Sequence, residues 1–208
     1  MAVVPSVRKL FPMKAASDLE NSGKEPLDIL PRDPADWPDS LSDLRGGFAD
    51  RLNVYRVMAH HPELLLAWKN FRNHVVGAKA LGNEYCEVVI LRAAHRLGAA
   101  YEWAHHVVRG RRAGLNDDRI RRIGGPSDAM SGADAVLVRA VDELVDHSQL
   151  TVETQRQLVE LVGIPGMFDV IATVGHYIVL GFIVKSFDTV TDTDIADELS
   201  KHPFQPDV

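Results

Sequence analysis

The chain has 208 residues, of which 46% are hydrophobic, and a formal net charge of −6 at pH 7. This is enough apolar material for one sizeable core, so the length favours one domain, or a domain with a tail. Basic residues are scattered apart from the short cluster Arg109, Arg111 and Arg112, which argues against nucleic acid as a partner. The single cysteine, Cys86, excludes an internal disulfide and a CxxC redox pair.

No stretch of the sequence predicts export or a membrane partner. The start of the chain, MAVVPSVRKLFPMK, has an early proline and lacks the small-residue cleavage site of a signal peptide. The most apolar run, VIATVGHYIVLGFIV, is shorter than the roughly 20 residues that cross a bilayer. Because Gly175, His176 and Gly181 interrupt it, we interpret this run as a buried core helix. We therefore expect a cytoplasmic protein.

The composition divides the chain into three segments. Residues 1–25 show little periodicity and include a polar, turn-rich stretch, so we expect an arm that is flexible or wraps a partner subunit. A proline-rich run, PLDILPRDPADWP, follows as extended chain, because a residue before proline avoids the helical region. Trp37 is expected to anchor this run to the core. We place a folded domain at residues 26–193 and a C-terminal tail at residues 194–208.

From residue 53 onward the apolar residues recur at helical spacing almost throughout. Asn53 is placed to cap a short helix, Pro62 to begin the next, and Gly98 to end a central helix that is apolar on nearly all sides. Further helices are predicted at residues 101–114, 117–123, 132–147, 151–163 and 165–187. Since no alternating strand pattern occurs, the sequence predicts an all-α helical bundle. The arm and the many apolar helix faces further favour a homo-oligomer, a dimer, trimer or hexamer.

Titratable residues are concentrated in YEWAHHVVRGRRAG, at residues 101–114. Glu102 and His106 are four residues apart and stack on one helix face, whereas Tyr101 and His105 pair about 100 degrees away. A carboxylate raises the proton affinity of an imidazole and burial lowers it, which is how a general acid/base is tuned towards ambient pH. A structural hydrogen bond on the helix surface explains the same spacing without catalysis.

The histidines do not follow a metal-binding pattern. His105 and His106 are adjacent, so they diverge on a helix and cannot hold one ion together. A zinc site would need ligands that converge from elsewhere in the chain, drawn from His60, His61, His74, His95 and His176. Because the sequence also lacks an HExxH motif and paired cysteines, we expect no metal and no other cofactor.

The run NEYCEVVILRAAHRLGAAYEWAHHVVRGRRAGLNDDRI resembles the carboxymuconolactone decarboxylase family, which includes the alkyl hydroperoxide reductase D-type proteins. The shared features are Glu87 at the start of an apolar helix, a glycine break, the motif YEWxxH, and an AGL exit before a short charged helix. A later helix with Gly175 and Tyr177 is similar to the family's late helix. The similarity covers most of residues 52–188 and implies an alkyl hydroperoxide reductase D-like helical bundle.

In the peroxide-reducing members of that family, a glutamate, the two cysteines of a CxxC and a histidine form a proton relay that activates a thiolate. Glu87 matches the glutamate and His106 the histidine, whereas Ala99 and Glu102 stand at the two cysteine positions. The resemblance therefore implies a cysteine-less member without thiol-dependent peroxidase activity. Cys86 has no resolving partner and is better interpreted as a small core residue.

The remaining candidate catalytic residues are Glu87, Glu102 and His106, which can transfer protons without a thiol. Two carboxylates around one imidazole raise at least one carboxyl pKa or stabilise an imidazolium. Such groups can stabilise an enolate and deliver a proton to carbon without a cofactor. We therefore expect a carboxymuconolactone decarboxylase-like enzyme, of decarboxylase, isomerase or hydrolase type, that acts on a small carboxylic or lactone acid.

Three further residues are candidates for binding that acid. Arg92 lies in an apolar run and is the candidate cation, although a buried salt bridge to Glu87 or Glu102 accounts for it equally well. Tyr177 is a candidate hydrogen-bond donor to the substrate, and His176 is a candidate to extend the pocket, with a core hydrogen bond as its alternative. A second function class also fits the sequence: a family member that has lost its CxxC and serves as a non-catalytic or binding subunit.

Overall fold

A computed structural model describes residues 27–77 and 80–204 of the chain. Within these ranges the regular secondary structure is helical and contains no strand, which confirms the predicted all-α fold. The predicted arm at residues 1–25 lies outside the described residues.

Nine α-helices follow one another along the described part of the chain. They are α1 (Phe48–Arg51), α2 (Asn53–Met58), α3 (Pro62–Val76), α4 (Asn83–Leu97), α5 (Ala100–Arg112), α6 (Asp117–Ile123), α7 (Gly132–His147), α8 (Val152–Ser186) and α9 (Thr193–Lys201). Two 3₁₀ helices, Pro34–Asp36 and Asp39–Leu44, precede them, and a third, Ser127–Ala129, lies between α6 and α7.

The segment before α1 is fixed by buried apolar side chains. Trp37, Leu41 and Leu44 are all buried in the core, so the expected anchoring by Trp37 is confirmed. The predicted cap of the next helix is corrected: Asn53 is the first residue of α2, and Leu52 is the capping residue before it. The backbone N–H of Asn53 instead donates a hydrogen bond to Asp192 Oδ1 at 2.9 Å.

Helix α4 lies at the centre of the bundle and packs against α5, α7 and α8. Residues Val88, Ile90 and Leu91 are all buried, as the unbroken apolar run predicts. The helix ends at Gly98, which adopts φ 60° and ψ 35°, a left-handed conformation that costs glycine little. This tight reversal lays α5 beside α4 and determines which residues of the two helices face each other.

Helix α8 joins the two helices predicted at residues 151–163 and 165–187. Gly163 has the non-helical angles φ 72° and ψ 174°, and Pro165 follows, so the chain kinks where the sequence predicted a break. The expectation that no run is long enough to cross a membrane is corrected, because the most apolar window of α8 has a mean hydropathy of 1.9. Half of that window is buried inside the protein, as in the core helix of a helical bundle.

Helix α9 packs against α5 and buries Ile195. The C-terminal tail predicted from residue 194 therefore begins as a helix that belongs to the folded body. The residue before it, Asp192, is buried and makes contacts inside the bundle that are described below.

Candidate active site

Glu87 of α4 and His106 of α5 face each other across the central helix pair. His106 Nδ1 lies 2.6 Å from Glu87 Oε2, so the imidazole N–H donates to the carboxylate. His106 is 1% exposed, whereas the Glu87 side chain is 15% exposed. The contact between these two residues, which the sequence predicted, is confirmed.

Glu102 lies near the other nitrogen of the same ring. Its Oε2 is 3.8 Å from His106 Nε2, and its Oε1 is buried without a hydrogen-bond partner among the described residues. The predicted hydrogen-bonded trio is therefore right for Glu87 and wrong for Glu102, which is in ion-pair range only. Burial raises the pKa of Glu102 to about 7, because His105 and Arg109 offset the loss of hydration only in part.

The imidazole of His106 is held in its neutral form. Burial lowers the pKa of His106, and the carboxylate of Glu87 opposes this shift without reversing it. A neutral ring that donates from Nδ1 to Glu87 carries its lone pair on Nε2. Arg109 Nη1 lies 3.4 Å from that nitrogen. The basic position of the ring is therefore Nε2, with a guanidinium beside it.

His106 and Glu87 line a cavity of about 430 Å³ between α3, α4, α5 and α8. This volume is in the range of small-molecule sites, roughly 300–1,000 Å³. Tyr177 forms part of the wall, with its ring edge-on to His106 at a centroid distance of 5.0 Å. The other lining residues are Arg72, Val76, Asn83, Cys86, Ile90, Arg109, Arg112 and Ala113.

Three arginines give this cavity a positive charge: Arg72, Arg109 and Arg112. None of them has a carboxylate partner within 4.0 Å in residues 27–77 and 80–204. The arginines that do bind carboxylates lie elsewhere: Arg92, Arg96, Arg111, Arg119 and Arg121. These three guanidinium groups therefore have no carboxylate partner among the described residues, and the cavity can offer them to a carboxylate of a ligand.

Arg92, the predicted substrate cation, lies outside this cavity. Its Nε and Nη2 donate to the Asp142 carboxylate at 2.8 and 2.7 Å, and its Nη1 donates to the carbonyls of Ile123 and Gly125. The prediction is corrected: Arg92 is a buried structural residue that joins α4 to α7 and to the end of α6. Its ion pair is with Asp142, not with Glu87 or Glu102.

Only one of the two predicted substrate-binding residues on α8 reaches the cavity. Tyr177 lines it, whereas His176 is fully buried behind it, with its ring stacked on Trp68 at 4.5 Å and edge-on to Phe71 at 5.4 Å. Both His176 nitrogens lack a hydrogen-bond partner among the described residues. Burial, then the nearby Arg72 and His106, lower the pKa of His176 to about 4, so this ring is neutral.

His105 points away from the cavity, as predicted, and belongs to a second buried group. His105 Nε2 is 2.8 Å from Asp192 Oδ2, and its Nδ1 is 2.8 Å from the carbonyl oxygen of Tyr101. The Tyr101 hydroxyl donates to the same Asp192 oxygen. This group connects α5 to the residue that precedes α9, and through the Asn53 N–H to α2.

Residues 62–145 match the sequence model of the carboxymuconolactone decarboxylase family. The similarity to that family is thus shown for this central segment of the chain. The matched range contains Glu87 and His106, and it contains Ala99 and Glu102, the positions that the sequence resemblance assigns to the two cysteines of the peroxide-reducing members. The single cysteine of the chain occupies neither position.

Among the solved structures that share the fold are two of the debrominase Bmp8. A cysteine-to-alanine variant in complex with 2,3,4-tribromopyrrole has a TM-score of 0.64 and 15% identity, covering 83% of this chain and 96% of that chain. The apo form has a TM-score of 0.61 and 14% identity over the same shares of the two chains. At this identity the likeness shows the fold alone. No curated protein matches the chain in sequence.

The first of the two assigned cysteine positions opens on a different cavity. Ala99 lines a space of about 630 Å³ at the turn between α4 and α5, together with His95, Trp103 and Phe204. His95 and Trp103 have ring centroids 6.0 Å apart. The walls here are largely aromatic and apolar, and no carboxylate lines this cavity among the described residues. The Glu87–His106 pair lies in the first cavity.

Sequence reasoning missed Arg72, Arg109, Arg112 and Asp192. The position of Arg109 near His106 could have been predicted, because Arg109 lies three residues after His106 and therefore on the same helix face. Arg72 reaches the cavity from α3, where it donates a hydrogen bond to Asn73 Oδ1 at 3.2 Å and lies over the Phe48 ring at 4.2 Å. Asp192 had the weak signal of an aspartate before a helix, but its side chain does not cap α9.

Proposed function

We propose that this protein is a cofactor-independent enzyme that uses His106 as a general acid/base on a small carboxylic or lactone acid, without thiol redox chemistry. The observation that carries the proposal is the 2.6 Å contact of His106 with Glu87 beside three arginines that lack carboxylate partners in the described chain. The alternative, a non-catalytic subunit, fits a sealed and fully paired group better than a cavity of this kind.

The neutral imidazole is suited to removing a proton from carbon. His106 Nε2 takes the proton next to the substrate carbonyl, and the electron pair of the C–H bond moves into the carbonyl to form an enolate. Arg109, whose Nη1 is 3.4 Å from that nitrogen, stabilises the enolate oxygen. Glu87 holds the ring and stabilises the imidazolium. In an isomerisation, Nε2 returns the proton to a different carbon.

In a decarboxylation the enzyme gives a proton to the substrate carbon instead of removing one. The bond between the substrate carbon and its carboxylate breaks, carbon dioxide leaves, and the bonding electron pair forms the enolate, which then takes up a proton. Glu102 is the donor in this proposal: with a pKa of about 7 it is substantially protonated at neutral pH, and its Oε2 lies 3.8 Å from Nε2. The proton passes from Glu102 through His106 to carbon.

The charge of the cavity selects an anionic substrate. Arg72, Arg109 and Arg112 exceed the single carboxylate of Glu87 on the cavity wall, and His106 is neutral. A substrate carboxylate supplies the counter-charge that these guanidinium groups lack among the described residues, and arginine binds a carboxylate with two parallel hydrogen bonds. The apolar part of the wall, which includes Ile90 and Val76, accommodates the carbon skeleton.

The same wall argues against chemistry that depends on a thiolate. Burial, together with the negative charges of Glu87 and Asp169, raises the pKa of the Cys86 thiol to about 12, so this thiol stays protonated. Bmp8 is a debrominase, and one of its two structures is of a variant with a cysteine replaced by alanine. A debromination that used a thiolate has no ready nucleophile here, and we do not assign it.

Binding measurements test the substrate class. A panel of small carboxylic and lactone acids is titrated into the protein by calorimetry, with the methyl ester of each acid as its uncharged match. We expect the acids to bind and Arg109→Gln to raise Kd at least about tenfold, because a charged hydrogen-bonded pair is lost.

Arg139→Gln is the matched control, since Arg139 is exposed and contacts Gln157 outside the cavity. Its affinity for the acids should equal that of the wild type. Equal affinity for acids and esters in the wild-type protein would contradict the proposed substrate class. A crystal soaked with the tightest acid should show its carboxylate against the cavity arginines.

A further inference from the structure

Exposed apolar side chains form a stripe along α8. Phe168 and Phe182 are 63% and 59% exposed, and Ile171 and Val179 are both 39% exposed. With Gly175 they recur every three or four residues, which places them on one face of the helix. Gly175 is exposed, and a Cβ added there would meet nothing within 4 Å. We call these five residues the α8 stripe.

The α8 stripe is symmetric about Gly175. Ile171 and Val179 lie four residues to either side of it, and Phe168 and Phe182 lie seven residues to either side. A two-fold axis through Gly175 therefore sets each phenylalanine against the other phenylalanine of a second, antiparallel copy. The same axis pairs isoleucine with valine. A dimer with two-fold symmetry requires a patch that is complementary to itself in this way.

The composition of the α8 stripe allows it to be buried completely in an interface. Between Phe168 and Phe182 the only aspartate, glutamate, lysine or arginine is Asp169. Asp169 is buried and binds His74 Nε2 at 2.8 Å, so it turns away from the stripe. Two antiparallel stripes would thus meet without burying an unpaired charge.

We infer that the α8 stripe is the interface of a homodimer in which two copies of α8 cross antiparallel at Gly175. The stripe is about 21 Å long at 1.5 Å per residue. Ile164 on the same helix and Phe71 beside it are also exposed and extend the apolar area towards the roughly 800 Å² that each partner buries in a stable interface. The glycine at the crossing point lets the two backbones approach closely.

The mass of the protein in solution tests this interface. Sedimentation velocity at micromolar concentration should give a particle of twice the 23.0 kDa chain. Phe168→Glu places an unpaired carboxylate in the interface twice per dimer, so it should raise the dissociation constant at least about hundredfold. Val190→Glu is the matched control, because Val190 is 64% exposed but lies outside the α8 stripe. This control should leave the dimer unchanged.

A charge-paired double variant tests the two-fold arrangement itself. Phe168→Glu combined with Phe182→Lys in one chain places the new carboxylate against the new ammonium group of the partner at both ends of the crossing. The double variant should recover a dissociation constant within about tenfold of the wild-type value. A double variant that remains monomeric would overturn the antiparallel pairing.

Gly175→Gln separates loss of the dimer from loss of the fold. A glycine inside a helix is less favourable than a residue with a side chain, so the monomer should melt at the same temperature or higher. The added side chain holds the helices apart and should weaken the dimer at least about tenfold.

Three results would overturn the inference. These are a 23 kDa particle for the wild type, a dimer that Phe168→Glu does not weaken, and wild-type binding to phosphatidylcholine vesicles that Phe168→Glu abolishes, which would assign the stripe to a lipid surface. No substrate enters these measurements, so their outcome is independent of the proposed function.

Discussion

His105 and His106 are neighbours on one helix, both are 1% exposed, and each contacts a carboxylate, yet they differ in what remains free on the ring. Both nitrogens of His105 are occupied, one by the Tyr101 carbonyl and the other by Asp192. His106 has one nitrogen occupied by Glu87, and its other nitrogen has only contacts of 3.4 and 3.8 Å. A buried histidine is available for chemistry only when one nitrogen lacks a permanent partner.

The carboxyl groups beside the two rings, Asp192 and Glu102, also differ in how completely they are hydrogen-bonded. Burial works to raise the pKa of Asp192, but hydrogen bonds from His105, Tyr101 and the Asn53 N–H lower it below its ordinary value. Glu102 has no such donors among the described residues, and burial raises its pKa to about 7. One region therefore holds a satisfied anion and stabilises the fold. The other holds an acid that exchanges its proton near neutral pH.

The largest effect is expected from removing the available ring. His106→Ala should lower turnover by roughly two to four orders of magnitude, the usual contribution of a positioned acid/base. Circular dichroism should show an unchanged helix content. Turnover within tenfold of the wild type would move the chemistry away from His106.

His105→Ala should give the opposite result. Turnover should stay within about tenfold of the wild type, while the free energy of unfolding in urea falls by roughly 2–4 kcal/mol, because Asp192 loses a buried partner. The comparison fails if His105→Ala lowers turnover as much as His106→Ala does.

Glu102→Gln should change the dependence of stability on pH. The carboxyl group titrates at its ordinary value of 4.5 in the unfolded chain and at about 7 in the folded protein. Its ionisation therefore destabilises the fold progressively as pH rises from 4.5 through 7, and the full cost applies above pH 7. Relative to the wild type, Glu102→Gln should gain up to about 3 kcal/mol of unfolding free energy over that interval.

Urea titrations at pH 4, 6 and 8 measure this gain. A difference between Glu102→Gln and the wild type that does not change with pH would show that folding leaves the pKa of Glu102 at its ordinary value of 4.5, so that the group is ionised at neutral pH. It would also remove Glu102 as the proton donor of a decarboxylation.

The smallest effect is expected at the thiol. Cys86→Ala should change turnover less than about twofold, because a thiol with a pKa of about 12 carries almost no thiolate near neutral pH. The wild type should show no peroxide reduction with a dithiol reductant. Peroxide turnover that disappears in Cys86→Ala would refute this.

The sequence predicted the parts of the site that depend on local geometry. The helix break at Gly98 and the fixed spacing to His106 follow from turn chemistry and helical periodicity, and the family resemblance supplied the pairing with Glu87. The partners of Arg92 and His105 were not predictable in this way. Asp142 lies 50 residues from Arg92, and Asp192 lies 87 residues from His105. Such contacts depend on how distant helices pack, which spacing along one helix does not encode.

The most direct test of the proposed chemistry follows the carbon–hydrogen bond. The acid that binds most tightly is incubated with the protein in deuterated buffer, and proton NMR records deuterium entering at the carbon next to the carbonyl. Wild-type protein should incorporate deuterium, and His106→Ala should do so at least about a hundredfold more slowly, while His105→Ala stays within tenfold of the wild type. Incorporation at equal rates in the wild type and His106→Ala would contradict the account.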